Sequence, residues 1–164
     1  MRTPAEFKRL ADEFVTLPLN EQLAAFTPFE IGRGLRRDCE INYYIDIGLQ
    51  LHLKNAQIPQ EQKAFFWQNI SFAHLQKGLH NEARGYWAIA EGYKKNILPE
   101  NLALFDARQA QIRGPLYREL DGDPDAGITV LTNGLALCEK INDADLRYLA
   151  ELANSDTKCN LIVQ

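Results

Sequence analysis

The chain has 164 residues, of which 46% are hydrophobic and 24% charged, with a net charge of −4. That balance fits a folded domain with a sizeable core and excludes bulk disorder. The acidic balance argues against sequence-independent nucleic-acid binding, which needs a basic face; the one basic cluster, Arg33, Arg36 and Arg37, reads as a solvated helix end.

Helix start signals recur along the chain. "TPAE" at Thr3–Glu6 and "TPFE" at Thr27–Glu30 share one grammar, with Thr as N-cap, Pro in the first turn and Glu placed to close a capping box. Asp38 is expected to cap a helix to about Lys54, in which Ile41, Tyr44, Ile45, Gly48, Leu49 and Leu51 follow helical spacing. Pro59 opens the next, to about Lys77, and Asn81 caps one ending near Asn96. Pro99 opens another to about Leu120, which Gly114-Pro115 should kink or interrupt.

Pro124 follows the acidic turn "DGDPD" and opens a helix to about Lys140. Its run "ITVLT", Ile128 to Thr132, is the most β-prone in the chain. No strand stop follows it, so a buried helix is expected there, with Asn133-Gly134 the turn signal against it. Asn142 or Asp143 caps a last helix, "DADLRYLAELAN". The expectation is an all-α fold of seven or eight helices joined by short loops, which pack as antiparallel hairpins. It forms one domain over residues 1–155, with a tail at 156–164.

Within this pattern one hairpin stands out, "WQNISFAHLQKGLHNEARGYWAIA" from Trp67 to Ala90. Trp67 is a large aromatic on the first helix, followed by Ile70 and Ser71; Gly78 falls at the turn; Ala83, Trp87 and Ala90 alternate small, large and small on the second helix. Small residues let two helix backbones approach, the indoles fill space between neighbours, and a turn Gly takes the left-handed conformation that ends a helix.

These positions, over Ala64–Ile97, resemble a tetratricopeptide (TPR) repeat, a helix-turn-helix unit of about 34 residues. His74 departs from the pattern, standing where Tyr is usual. A shift of 43 residues from Asn81 reaches Pro124, with Val130 then opposite Trp87, a fainter second unit. The resemblance implies a right-handed stack of hairpins that binds a protein or peptide in a concave groove and acts as an adaptor, with no catalysis and no cofactor. Carried over by position, it assigns partner binding to Phe65, Gln68, Asn69, Phe72, Leu75 and Gln76. Gln68 and Phe72 stand where the carboxylate-clamp version has Lys and Asn, which speaks against capture of a C-terminal carboxylate. A homo-oligomer through the exposed ends of the stack is a further expectation.

Other chemistry is weakly signalled. The three histidines, His52, His74 and His80, form neither HxxxH nor HExxH, so no zinc spacing is present. His74 reads as a packing residue and His80 as solvated. Asp121, Asp123 and Asp125 alternate like the first ligands of an EF-hand. Ala126 stands where that loop needs Gly, however, and Thr132 where it needs a bidentate Glu.

Cys39, Cys138 and Cys159 show no CxxC pairing, so a reduced, cytoplasmic compartment without disulfides is expected. No apolar run approaches a membrane span, and the first residues lack the apolar core of a secretory signal. The alternative to an adaptor is a small enzyme or ligand sensor with an inter-helix pocket, for which His74, Tyr86 and Glu91 are the candidate groups.

Overall fold

A computed structural model describes residues 3–25, 41–54 and 59–147. Among these residues every regular element is helical: α1 (Pro4–Phe14), α2 (Leu19–Ala25), α3 (Ile41–Lys54), α4 (Gln60–Gln76), α5 (His80–Gly92), α6 (Pro99–Asp121) and α7 (Pro124–Leu137). Short 3-10 turns follow α5 at Lys94–Asn96 and α7 at Cys138–Lys140. No described helix is long and apolar enough to cross a membrane. The expected start signals at Thr27 and Asp38, and Cys39 and Cys159, lie outside the described residues.

Local chemistry places most helix ends. Thr3 closes a full capping box, its hydroxyl accepting from the Glu6 amide at 3.2 Å while the Glu6 carboxylate accepts from the Thr3 amide at 2.7 Å. Each bond satisfies an amide that a helix start otherwise orphans. Asp123 caps α7 by accepting from the Ala126 amide at 3.0 Å, ahead of Pro124. Asn142 does the same for a helical turn at 143–147, accepting from the Asp145 amide at 2.9 Å. Gly78 takes φ 76° and ends α4 in the left-handed conformation that glycine adopts without strain.

Three expectations need correction. Asn81 does not cap α5; the helix begins at His80 and Leu79 holds the cap position without a side-chain bond. The helix also stops at Gly92 rather than near Asn96, the 3-10 turn making the remainder. Gly114-Pro115 does not interrupt α6, which runs 23 residues with Pro115 inside it. Proline there removes one amide donor, and the packing of α6 against α5 on one side and α7 on the other keeps the helix whole.

Helix α3 packs on both α1 and α4, each helix from α4 onward packs mainly on a chain neighbour, and α4 also reaches α6. The contacts fix the directions. Ser71 faces Ala83 and Trp67 stacks on Tyr86, so α4 and α5 are antiparallel. Glu61 meets Asn101 and Phe65 meets Phe105, so α4 and α6 run parallel. The core lies between these helices. Ala64, Phe66, Trp67, Ile70, Ala73, Ala90, Ile97 and Phe105 form one cluster, and Phe72, Ala83, Ile112 and Leu116 a second.

Helices α6 and α7 approach most closely. A β-carbon at Gly127 would lie 2.7 Å from the Gly114 carbonyl oxygen, and one at Gly134 would lie 2.7 Å from the Ala110 methyl. Gly127 and Gly134 are seven residues apart, so both fall on one face of α7. The helix therefore continues straight through Asn133-Gly134, where the glycine serves contact and not a turn. Gly127→Ala must push backbone against backbone and is expected to cost about 1–3 kcal/mol. Gly85→Ala, on an open face of α5 with nothing near it, is expected to be neutral or to stabilise by up to about 1 kcal/mol. Urea denaturation of the two variants against the parent checks the pair.

Candidate functional site

The residues that the repeat resemblance assigns to a partner lie mostly inside the molecule. Gln68 and Asn69 are fully buried and Phe72 is 2% exposed. Phe65 is half-buried, its ring edge-on to Phe105 at 5.7 Å. Leu75 is half-buried against the Phe72 cluster, and Gln76 is half-buried as well. Helix α6 covers the face of α4 on which a groove was expected. Gln68 and Phe72 meet α6, and Asn69 is buried as well, so the three form no open groove in this structure.

The reason is visible in α4 itself. From Phe66 to His74 every residue is buried, so this stretch has no solvent side and its polar groups look for partners inside, which the Gln68 amide nitrogen finds and its Oε1 does not. The Gln68 amide donates to the Phe105 carbonyl at 3.0 Å and to Gln109 Oε1 at 3.1 Å. Gln109 in turn donates to Glu91 at 2.9 Å and to the Trp87 carbonyl at 3.3 Å, while the Trp87 indole donates to the Gln109 carbonyl at 3.0 Å. Ser71 donates to the Ala83 carbonyl at 2.6 Å. One amide chain therefore ties α4, α5 and α6 together. Arg108, 2% exposed, sets its guanidinium 5.9 Å from the Phe72 ring centre.

The groups weighed for catalysis are dispersed into this packing. His74 Nδ1 lies 2.8 Å from the Ile70 carbonyl, and its ring leans on Tyr86 at 4.8 Å. Glu91 belongs to the amide chain and lies 3.9 Å from Lys94. Lys94 bonds Asp106 at 2.9 Å. That hydrogen bond raises the Lys94 pKa above the ordinary 10.5, against a lowering by burial, with the charges of Asp106 and Glu91 adding to the rise. These contacts clip the 3-10 turn to α6.

The acidic turn is likewise structural. Asp123 caps α7, and Asp121 lies 3.7 Å from both Arg84 and Arg113. Arg113 is held over the Tyr117 ring at 4.1 Å and the Trp87 ring at 5.5 Å. No group of three metal-ligating side chains occurs among the described residues.

The open surface lies elsewhere. Helix α7 spends its small face on α6, and only Gly127 and Gly134 are buried. Ile128 is 62% and Leu135 71% exposed, with Leu131 beside them at 38%. Thr132 is exposed on the same face. The segment from Ile128 to Thr132 is helical as expected, but it is not buried. Its freedom from charge accompanies an apolar outer stripe, since the glycine contacts, with Leu131 against Gly114 and Leu137 against Leu104 and Ala107, hold the helix down and leave Ile128 and Leu135 outside.

No protein-family model, curated protein or solved structure matches the chain.

Phe72→Ala removes a buried ring between α4, α5 and α6 and is expected to destabilise by about 3–5 kcal/mol, read by thermal or urea unfolding. A stable, fully folded Phe72→Ala variant would return this residue to the surface.

Proposed function

We propose that the chain is a non-catalytic helical scaffold that binds another protein or peptide, and that it does so on the outer face of α7 and not on the inner face of α4. The observation that carries this reading is the pair Ile128 and Leu135, the two most exposed large apolar side chains among the described residues. They sit seven residues apart on a helix whose adjoining face is fixed by glycine contacts. Single exposed apolar residues are ordinary, but an aligned stripe on a fixed helix is a docking feature.

Two further points support the scaffold. Among the described residues, His74, Glu91, Lys94 and Asp106 each contact the protein's own groups, which suits a scaffold. The parallel pairing of α4 with α6 also suits a stack of hairpins, with α4–α5 as one unit and α6–α7 as the next. The TPR-like reading rests on this pairing together with Gly78, Ala83 and Ala90, and it remains part of the proposal.

The test is partner capture with matched variants. An Ile128→Gln/Leu135→Gln chain is expected to fold normally, because both sites are solvent-facing, and to lose a partner that the parent retains. In the reconstituted complex, amide exchange should slow over residues 124–137. A partner held equally by the α7 double variant would defeat the assignment of this face.

A further inference from the structure

The charges around the α7 stripe select the kind of partner. Counting residues from Ile128, Asp125 lies three before it and Glu139 lies four after Leu135. Both are exposed, Asp125 in the first turn of α7 and Glu139 in the 3-10 turn that follows the helix, so they stand at the two ends of the stripe. From Ala126 to Cys138 there is no charge at all. Residues 118–147 hold seven acids against three bases, an imbalance equal to the net charge of −4 of the whole chain. Of the acids near α7, Asp121 is already shared by Arg84 and Arg113, and Asp123 caps the helix. Asp125 and Glu139 are left as the brackets of an apolar strip.

A second copy of this chain fits that pattern badly. Antiparallel pairing of Ile128 with the other copy's Leu135 sets Asp125 beside the other copy's Glu139 at both ends of the contact. Parallel pairing sets like on like. Either arrangement brings carboxylates together, which disfavours the contact. The chain beyond residue 147 offers no complement either, with Glu151 and Asp156 against Lys158. The chain's own basic cluster, Arg33, Arg36 and Arg37, has the complementary charge, and an Arg36→Gln/Arg37→Gln chain that bound the basic peptide described below more than tenfold tighter would make that cluster the occupant and overturn the proposal.

Building on the scaffold reading above, we propose that the α7 stripe docks a basic amphipathic helix of another protein. That helix presents apolar side chains at i, i+3 or i+4, and i+7, with Lys or Arg flanking them at both ends. The apolar side chains cover Ile128, Leu131 and Leu135, and the flanking cations meet Asp125 and Glu139. The contact is small, so its affinity is modest, with a Kd on the order of 100 µM, and its on-rate depends on salt.

Fluorescence anisotropy on the intact chain tests this with three labelled synthetic peptides: a Leu-striped helix flanked by Lys, the same helix flanked by Glu, and a scramble of the Lys peptide. The Lys-flanked helix is expected to bind at least tenfold tighter than the other two. Ile128→Gln/Leu135→Gln should weaken it at least tenfold. Asp125→Asn/Glu139→Gln should weaken it severalfold, whereas Asp12→Asn/Glu13→Gln on exposed α1 positions, the same change in net charge, should leave it unchanged.

Equal loss in both charge variants would reduce the effect to overall charge and overturn the proposal. Equal binding of the scramble, or of the Glu-flanked helix, overturns it too. So does a concentration-dependent dimer in light scattering that the α7 double variant abolishes, since the occupant is then a second copy. Absence of any peptide binding overturns the basic-helix partner while leaving the scaffold reading to the capture experiment, which does not depend on peptide chemistry.

Discussion

The bond between Gln68 and Gln109 sets the register on which the rest of the described structure depends. A glutamine in the middle of an enclosed stretch of helix needs partners for its amide N–H groups, because an unpaired buried polar group costs about 1–3 kcal/mol; its Oε1 has no hydrogen-bond partner, so the two donors carry the constraint. Gln68 finds its acceptors on α6, at Phe105 and Gln109. Gln109 extends the chain of bonds to Trp87 and Glu91 on α5. Sliding any one of the three helices by a turn breaks bonds in the other two. Apolar packing alone would tolerate such slips far better, since it is non-directional. The amides thus specify which arrangement of an otherwise greasy interior is the native one.

That constraint decides which side chains are accessible. From Phe66 to His74 the residues of α4 are all buried and hold helices together. The most exposed large apolar side chains are on α7, which meets α6 closely at Gly127 and Gly134. Attachment through small residues is what leaves the large ones outside. Leu131 marks the boundary: it leans into the notch at Gly114, while Ile128 and Leu135 project into solvent.

The sequence was legible wherever a single residue type has a single local task. Thr3 with Glu6, Pro99, Asp123 with Pro124, and Gly78 all sit where backbone chemistry requires them, and the all-helical reading follows from them. It was less legible where one residue type serves two tasks. Gly134 after Asn133 reads as a turn, yet it is a contact residue, and the seven-residue spacing from Gly127 was the available clue. The segment 66–74 interleaves Phe, Trp and Ile with Gln, Asn, Ser and His, which reads equally as a groove or as a core. Its lack of any charged residue was the signal for burial on every side. At Ile128–Thr132 the missing strand stop pointed correctly to helix, but burial did not follow from it, because a run without charge can lie on an exposed face as well as in a core.

The account turns on an inversion of exposure between α4 and α7, and hydroxyl-radical footprinting of the native chain measures that directly. Normalised for intrinsic side-chain reactivity, Leu135 and Ile128 should be oxidised at rates close to those in the unfolded chain, while Phe72 is strongly protected. Oxidation of Phe72 as fast as Leu135 would contradict it, and would place the recognition surface back on α4.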